Sequence, residues 1–170
     1  MSRVIFDIDG VLGDFNSYCE QLLGIPADPT AYSAAQRWPG REEPFLKILH
    51  DPKTYYRLTT IRGAIQAVER YRISHEIFAV TARDYGNKSE MEYQTLRWFE
   101  KHGFPFRSVT VTTVEKKVPI IKEMLYGIDG YAIDDSPFQI QEMINKNVPY
   151  IIFNQLWNQD IPGTRIHGWI

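Results

Sequence analysis

At 170 residues with 44% apolar side chains, the chain can bury one good core and carry a small insertion. A net charge of −2 excludes a broad basic surface for extended nucleic acid. The single cysteine, Cys19, excludes an internal disulfide framework, fits a reducing compartment and reads as a small buried hydrophobe. No apolar run reaches membrane-spanning length, and the first residues enter a strand without a leader. A cytoplasmic protein without membrane contact is therefore expected, in which the Asn87-Lys-Ser89 glycosylation pattern goes unused.

The first strand is expected at Val4 to Ile8, and it runs into Asp7-Ile8-Asp9-Gly10. On an extended chain the i, i+2 spacing turns both carboxylates to one side. Paired carboxylates at the end of a buried strand repel each other and resist desolvation, and a divalent cation removes that cost. The same four residues also serve turns, and they open calcium loops. Val11 and Leu12 follow where a calcium loop would continue with oxygen ligands. Residues 15 to about 60 contain no convincing strand; they hold five prolines and the aromatics Phe15, Trp38, Phe45, Tyr55 and Tyr56. They read as a helical insertion over the strand ends, a usual place for a lid or specificity element. Its aromatics suit either the insertion's own core or a pocket.

Beyond it, strands and helices alternate. A helix is expected near residues 61–71, a strand at 77–80 and a helix at 89–102 closed by Gly103 and Pro105. A strand at 109–111, a helix at 118–125, a strand at 131–133, a helix at 138–145 and a last strand at 150–153 complete the series. This order predicts an α/β fold: a Rossmann-like parallel sheet with helices on both faces. The core is expected over 1–14 and 60–170, with a small helical cap over 15–59.

Further polar residues fall at strand ends. Thr81-Ala82-Arg83 ends the second strand, where a hydroxyl and backbone amides can meet phosphate oxygens. Asp134-Asp135-Ser136-Pro137 ends a later strand, with Pro137 suited to a helix start. An N-cap explains Asp135 or Ser136, but not Asp134 as well. Lys116 and Lys117 stand near a helix start, where the helix dipole disfavours cations, so one of them is expected to serve a site.

With these motifs in view, the sequence resembles the haloacid dehalogenase superfamily of phosphohydrolases. Asp7-Ile8-Asp9-Gly10, Thr81, Lys116/Lys117 and Asp134-Asp135 follow the order of its four motifs over nearly the whole chain. Within it, Asp9 to Phe15, the following insertion, Ile61 to Val68 and Phe153 to Asn158 resemble the 5'(3')-deoxyribonucleotidase group. Thr81-Ala82-Arg83 departs from the Thr-Ser-Pro-like sequence usual in that group.

The resemblance implies a Mg²⁺-dependent phosphomonoester hydrolase with Asp7 as nucleophile and Asp9 as acid and base. It implies Thr81 and Lys117 on the phosphoryl oxygens, with Lys117 preferred because it adjoins the apolar start of the helix. It places the metal on Asp7, the backbone carbonyl of Asp9, and Asp134. Asp135 and Lys116 are expected in supporting positions. Phe15, Trp38, Tyr56, Ala82 and Arg83 are the candidate substrate contacts, and a nucleoside monophosphate is the expected substrate. A sugar phosphate, a nucleic-acid 3'-phosphate end and a non-catalytic binding module are the alternatives. The insertion's apolar residues suit a pocket or a homodimer interface.

Overall fold

The computed structural model describes residues 1–169. Its centre is a six-stranded, wholly parallel sheet in the order β3-β2-β1-β4-β5-β6. The strands are β1 (Ser2–Phe6), β2 (His75–Ala82), β3 (Ser108–Thr112), β4 (Gly130–Asp134), β5 (Tyr150–Phe153) and β6 (Arg165–Ile166). The chain builds outward from β1 through β2 to β3, then returns to lay β4 on the other side of β1. This reversal is a topological switch point, and a crevice opens there beyond the carboxyl ends of β1 and β4. Asp7 follows β1 directly and Asp134 closes β4, so both sit at that crevice.

Side-chain alternation along the strands loads both faces of the sheet. Val4 and Phe6 pack on one face with Ala64, Val68, Trp98 and Phe99 from α5 (Ala64–Tyr71) and α6 (Lys88–His102). Ile5 points to the other face, with Val118, Ile121, Ile140 and Met143 from α7 (Val114–Met124) and α8 (Pro137–Asn145). Near-continuous burial on both sides is why the central strands read as apolar runs.

Between Phe15 and Arg57 the chain forms four helices: α1 (Phe15–Leu23), α2 (Ala34–Arg37), α3 (Glu42–His50) and α4 (Lys53–Arg57). Asp14 caps α1, its carboxylate accepting from Ser17 N–H at 3.1 Å. Cys19, Leu23, Trp38 and Ile48 form a separate small core, so Cys19 serves as a buried hydrophobe. The two ends of this helical segment meet. Asp14 N–H donates to Thr59 O and Ile61 N–H to Leu12 O, at 2.9 and 2.7 Å. Its entry and exit are thereby stitched together directly over the β1 crevice.

Two elements differ from the sequence expectation. A helix is expected over 118–125, yet α7 opens at Val114, and Pro119 stands inside it. Pro119 lies past the unpaired first turn, so α7 forgoes the bond that residue 119 would otherwise donate to Glu115 O. The two-residue β6, set between Gly163 and Gly168, is too short to carry a period. The chain end also docks: Trp169 is buried against Phe6, Tyr71 and Phe153, and its indole N–H donates to Val11 O. The last residue, Ile170, lies outside the described residues.

Candidate active site

The backbone after β1 explains why two aspartates can stand here. Asp7 N–H donates to Ile133 O at 2.9 Å, extending the β1–β4 ladder by one step. The chain then turns tightly, with Leu12 and Gly13 N–H both donating to Ile8 O at 2.8 Å. Gly10 holds a left-handed φ of +83°, and a Cβ built there would lie 2.4 Å from Asp135 Oδ2. Glycine is therefore required twice over, for the turn and for the approach of Asp135.

Asp7, Asp134 and Asp135 form one buried cluster, each offering a carboxylate oxygen within 4.8 Å of the others. Lys117 reaches into it from α7, and its Nζ lies 2.7 Å from both Asp7 Oδ1 and Asp134 Oδ2. All four are buried. Lys116, the neighbouring candidate, faces solvent. Beginning α7 at Val114 puts Lys117 in the second turn, where it points inward with Val118 and Ile121.

The charge balance is unfavourable as it stands. Three carboxylates face a single ammonium in a place that penalises charge. Burial pushes the Asp7 carboxyl up to about 7; Lys117 pulls it down, and Asp134 and Asp9 push it further up. Burial, then Asp134 and Asp7, hold Asp135 well above the usual carboxylate range. Attraction to Asp134 and Asp7 outweighs burial at Lys117 and raises it, so its ammonium stays charged. Three close hard oxygen donors with a shortfall of positive charge fit a divalent cation such as Mg²⁺.

The Asp9 carboxylate stands apart from this cluster. Arg83 grips it with two bonds, Nε to Oδ2 at 2.9 Å and Nη2 to Oδ1 at 2.7 Å. Arg83 is itself fully buried, donating to Thr95 Oγ1 at 2.8 Å, with its guanidinium 4.3 Å from the centre of the Tyr55 ring. The Asp9 side chain keeps about a quarter of its surface exposed (24%). Replacing Arg83 with Met leaves Asp9 without its fork and takes one donor from the Thr95 hydroxyl, which keeps its own bond to Met91 O. Discounted for the exposure of Asp9, the expected cost is about 2–4 kcal/mol. Chemical denaturation of the variant measures it, and an unchanged midpoint would show that the fork contributes nothing.

A cavity of about 450 Å³ opens above the cluster, lined on the sheet side by Asp7, Asp9, Thr81, Lys117 and Asp135. Thr81 is buried at the end of β2, with Ala82 beside it on the wall. The helical segment supplies the opposite wall, including Phe15, Arg37, Trp38 and Tyr55. Tyr32 closes one side, its hydroxyl donating to Ser136 Oγ at 2.8 Å.

The structure thus brings together most of the sequence candidates and leaves Lys116, Tyr56 and Arg83 off the cavity wall. Asp135, expected in support, joins the carboxylate cluster, because Ser136 takes over the N-cap of α8 and frees it. Tyr56 does not reach the cavity; it packs with Arg97 and Lys101 of α6. Arg83 is not available to a substrate, since its guanidinium is spent on Asp9 and Thr95. Sequence reasoning missed Arg37, Gln139 and Trp157, all on the cavity wall. A lone arginine in a four-residue helix carries no periodic signal.

No family model matches the chain. A search of curated proteins finds "Putative nucleotidase BH1399" of Halalkalibacterium halodurans, 26% identical over 181 residues and spanning 98% of this chain and 88% of that protein. Among solved structures, the haloacid dehalogenase-like hydrolase SP0104 of Streptococcus pneumoniae superposes with a TM-score of 0.61 at 17% identity. The alignment covers 98% of this chain and 94% of that one. The HAD-hydrolase YfnB of Bacillus subtilis, solved with magnesium, gives the same TM-score and coverage at 13% identity. The sheet order and the strand-end carboxylates agree with these relatives, and the chain has the fold of the haloacid dehalogenase-like hydrolases.

Proposed function

We propose that the protein is a Mg²⁺-dependent phosphomonoester hydrolase working through a phosphoryl-aspartate, with nucleoside monophosphates as its substrates. The observation that carries the proposal is the buried Asp7–Asp134–Asp135 cluster with Lys117 at its centre, at the floor of a cavity roofed by the helical segment. The nucleotide assignment draws on the name of the curated relative and on the aromatic wall of the cavity.

In this scheme an Asp7 carboxylate oxygen attacks phosphorus, and the bond from phosphorus to the leaving oxygen breaks. Asp9 gives that oxygen its proton. Asp9 then takes a proton from water as the water attacks phosphorus, and the bond to Asp7 breaks to release phosphate. The Arg83 fork fixes the side-chain orientation of Asp9 for both transfers. Lys117 and Thr81 hold the phosphoryl oxygens, where charge spreads in the transition state. Asp7, Asp134 and Asp135 would hold the Mg²⁺, which supplies positive charge against an anionic nucleophile and an anionic substrate. The helical segment acts as a cap that keeps bulk water from the intermediate.

Phosphate release from a panel of 5'- and 3'-nucleotides, sugar phosphates, phosphoserine and an aryl phosphate tests the assignment. Release led by nucleotides supports it. Release led by a sugar phosphate keeps the chemistry and removes the nucleotide. No release from any of them overturns the hydrolase.

The metal has its own test. The Asp7 carboxyl lies at about 7 in the folded protein, above its unfolded value of 3.8. Below the lower value both states are protonated and the full stability is present. As pH rises the unfolded chain ionises first, so metal-free stability falls between about 4 and 7. Mg²⁺ displaces the retained protons, so its stabilising effect grows over the same range. Thermal melts with Mg²⁺ and with chelator are expected to separate more at pH 8 than at pH 5. Equal separation at both would remove the cluster as the metal site.

A further inference from the structure

Arg37, Trp38 and Gln139 line the cavity, and each has a buried polar atom without a hydrogen-bond partner among the described residues: Nε, Nε1 and Oε1. Arg37 is the costliest of the three. It is 6% exposed, yet its guanidinium carbon lies 5.1 Å from the centre of the Trp38 ring and 4.4 Å from that of Trp157. Ring faces attract a cation but accept none of its in-plane N–H groups. Asp135 and Glu20 act on it only through the field of their charges. A buried guanidinium without acceptors is expensive, and native structures keep such groups for a reason.

Gln139 supplies the complement. Its Nε2 donates to Val114 O at 3.1 Å, which fixes the amide and leaves Oε1 as its free end. One wall of the cavity therefore offers donors, from Arg37 and Trp38, while α8 offers an acceptor. A second anion on the substrate would satisfy Arg37 and meet Gln139 Oε1 lone pair to lone pair. A neutral edge carrying both an oxygen acceptor and a donor satisfies both.

We infer that Arg37 and Gln139 form a leaving-group subsite, with Arg37 as the specificity-determining residue for a neutral leaving group that presents an oxygen acceptor beside a hydrogen-bond donor. This rests on the hydrolase reading above. A nucleobase lactam and a sugar polyol both present such an edge, and the test separates them.

The experiment compares kcat and KM of the wild type and Arg37→Met, with Mg²⁺, on dUMP, ribose 5-phosphate and phenyl phosphate, whose leaving group has no such edge. The wild type is expected to prefer dUMP or ribose 5-phosphate to phenyl phosphate. In Arg37→Met that preference, as a ratio of kcat/KM values, falls about 10–100-fold, mainly through KM. The substrate on which it falls names the source of the edge. Should Arg37→Met fail to fold, Arg37→Lys keeps the charge and loses the fork, and a smaller fall of the same ratio is expected. An unchanged ratio, or no wild-type preference, overturns the subsite. A wild type inert on all three substrates overturns the hydrolase itself, a separate result.

Discussion

Asp7→Asn is expected to lower turnover more than ~10⁴-fold while leaving the fold intact, because an amide cannot serve as the attacking oxygen. The stability of this variant is as informative as its activity. Burial already favours the neutral form of Asp7, whose carboxyl is pushed up to about 7. Asparagine is neutral and close in shape, and Lys117 keeps Asp134 as its partner. The metal-free variant should therefore melt at or above the wild-type temperature at pH 8, and Mg²⁺ should stabilise it less than it does the wild type. An active Asp7→Asn enzyme would end the scheme. An inactive but unfolded one would mean that Asp7 is needed for the fold.

Lys117→Met is expected to act in the opposite direction on stability. It removes the one cation among three buried carboxylates and leaves them facing one another. Breaking a buried pair in this way costs about 3–5 kcal/mol, and part of the loss should return as Mg²⁺ is added. Activity should fall about 10²–10³-fold even with saturating Mg²⁺, the usual effect of losing one preorganised charge-stabilising donor. Urea denaturation and initial rates measure the two effects. Unchanged stability in the metal-free variant would show that the cluster does not depend on Lys117 for its balance.

The contrast between these residues and the two buried arginines shows what could be read from the chain alone. Asp7 and Asp134 were legible because each stands at the end of an apolar strand, and strand ends at a switch point meet in space. Lys117 was legible as one of a pair, since only it adjoins the apolar face of α7. The central strands were legible because both faces are buried, whereas β6, held by two residues between loops, leaves no pattern. Asp135 was half legible: the sequence offered two candidates for one N-cap, and the choice of Ser136 depends on the local backbone. Arg83 could be placed beside the site but not given its partners. Its contacts come from Asp9, from Thr95 on α6 and from the Tyr55 ring, three separate parts of the chain. Arg37 was invisible for the same reason, since the Trp157 ring against its guanidinium comes from a part of the chain more than 100 residues away.

The central claim is that phosphorus passes through Asp7. The most direct measurement is to quench turnover of the best substrate in acid, reduce acyl phosphates with borohydride and sequence the peptides by mass spectrometry. The account predicts homoserine at position 7, present with Mg²⁺ and substrate and absent without either. Full-rate phosphate release with Asp7 unmodified in every quench, or reduction at Asp9 or Asp134 instead, would contradict it.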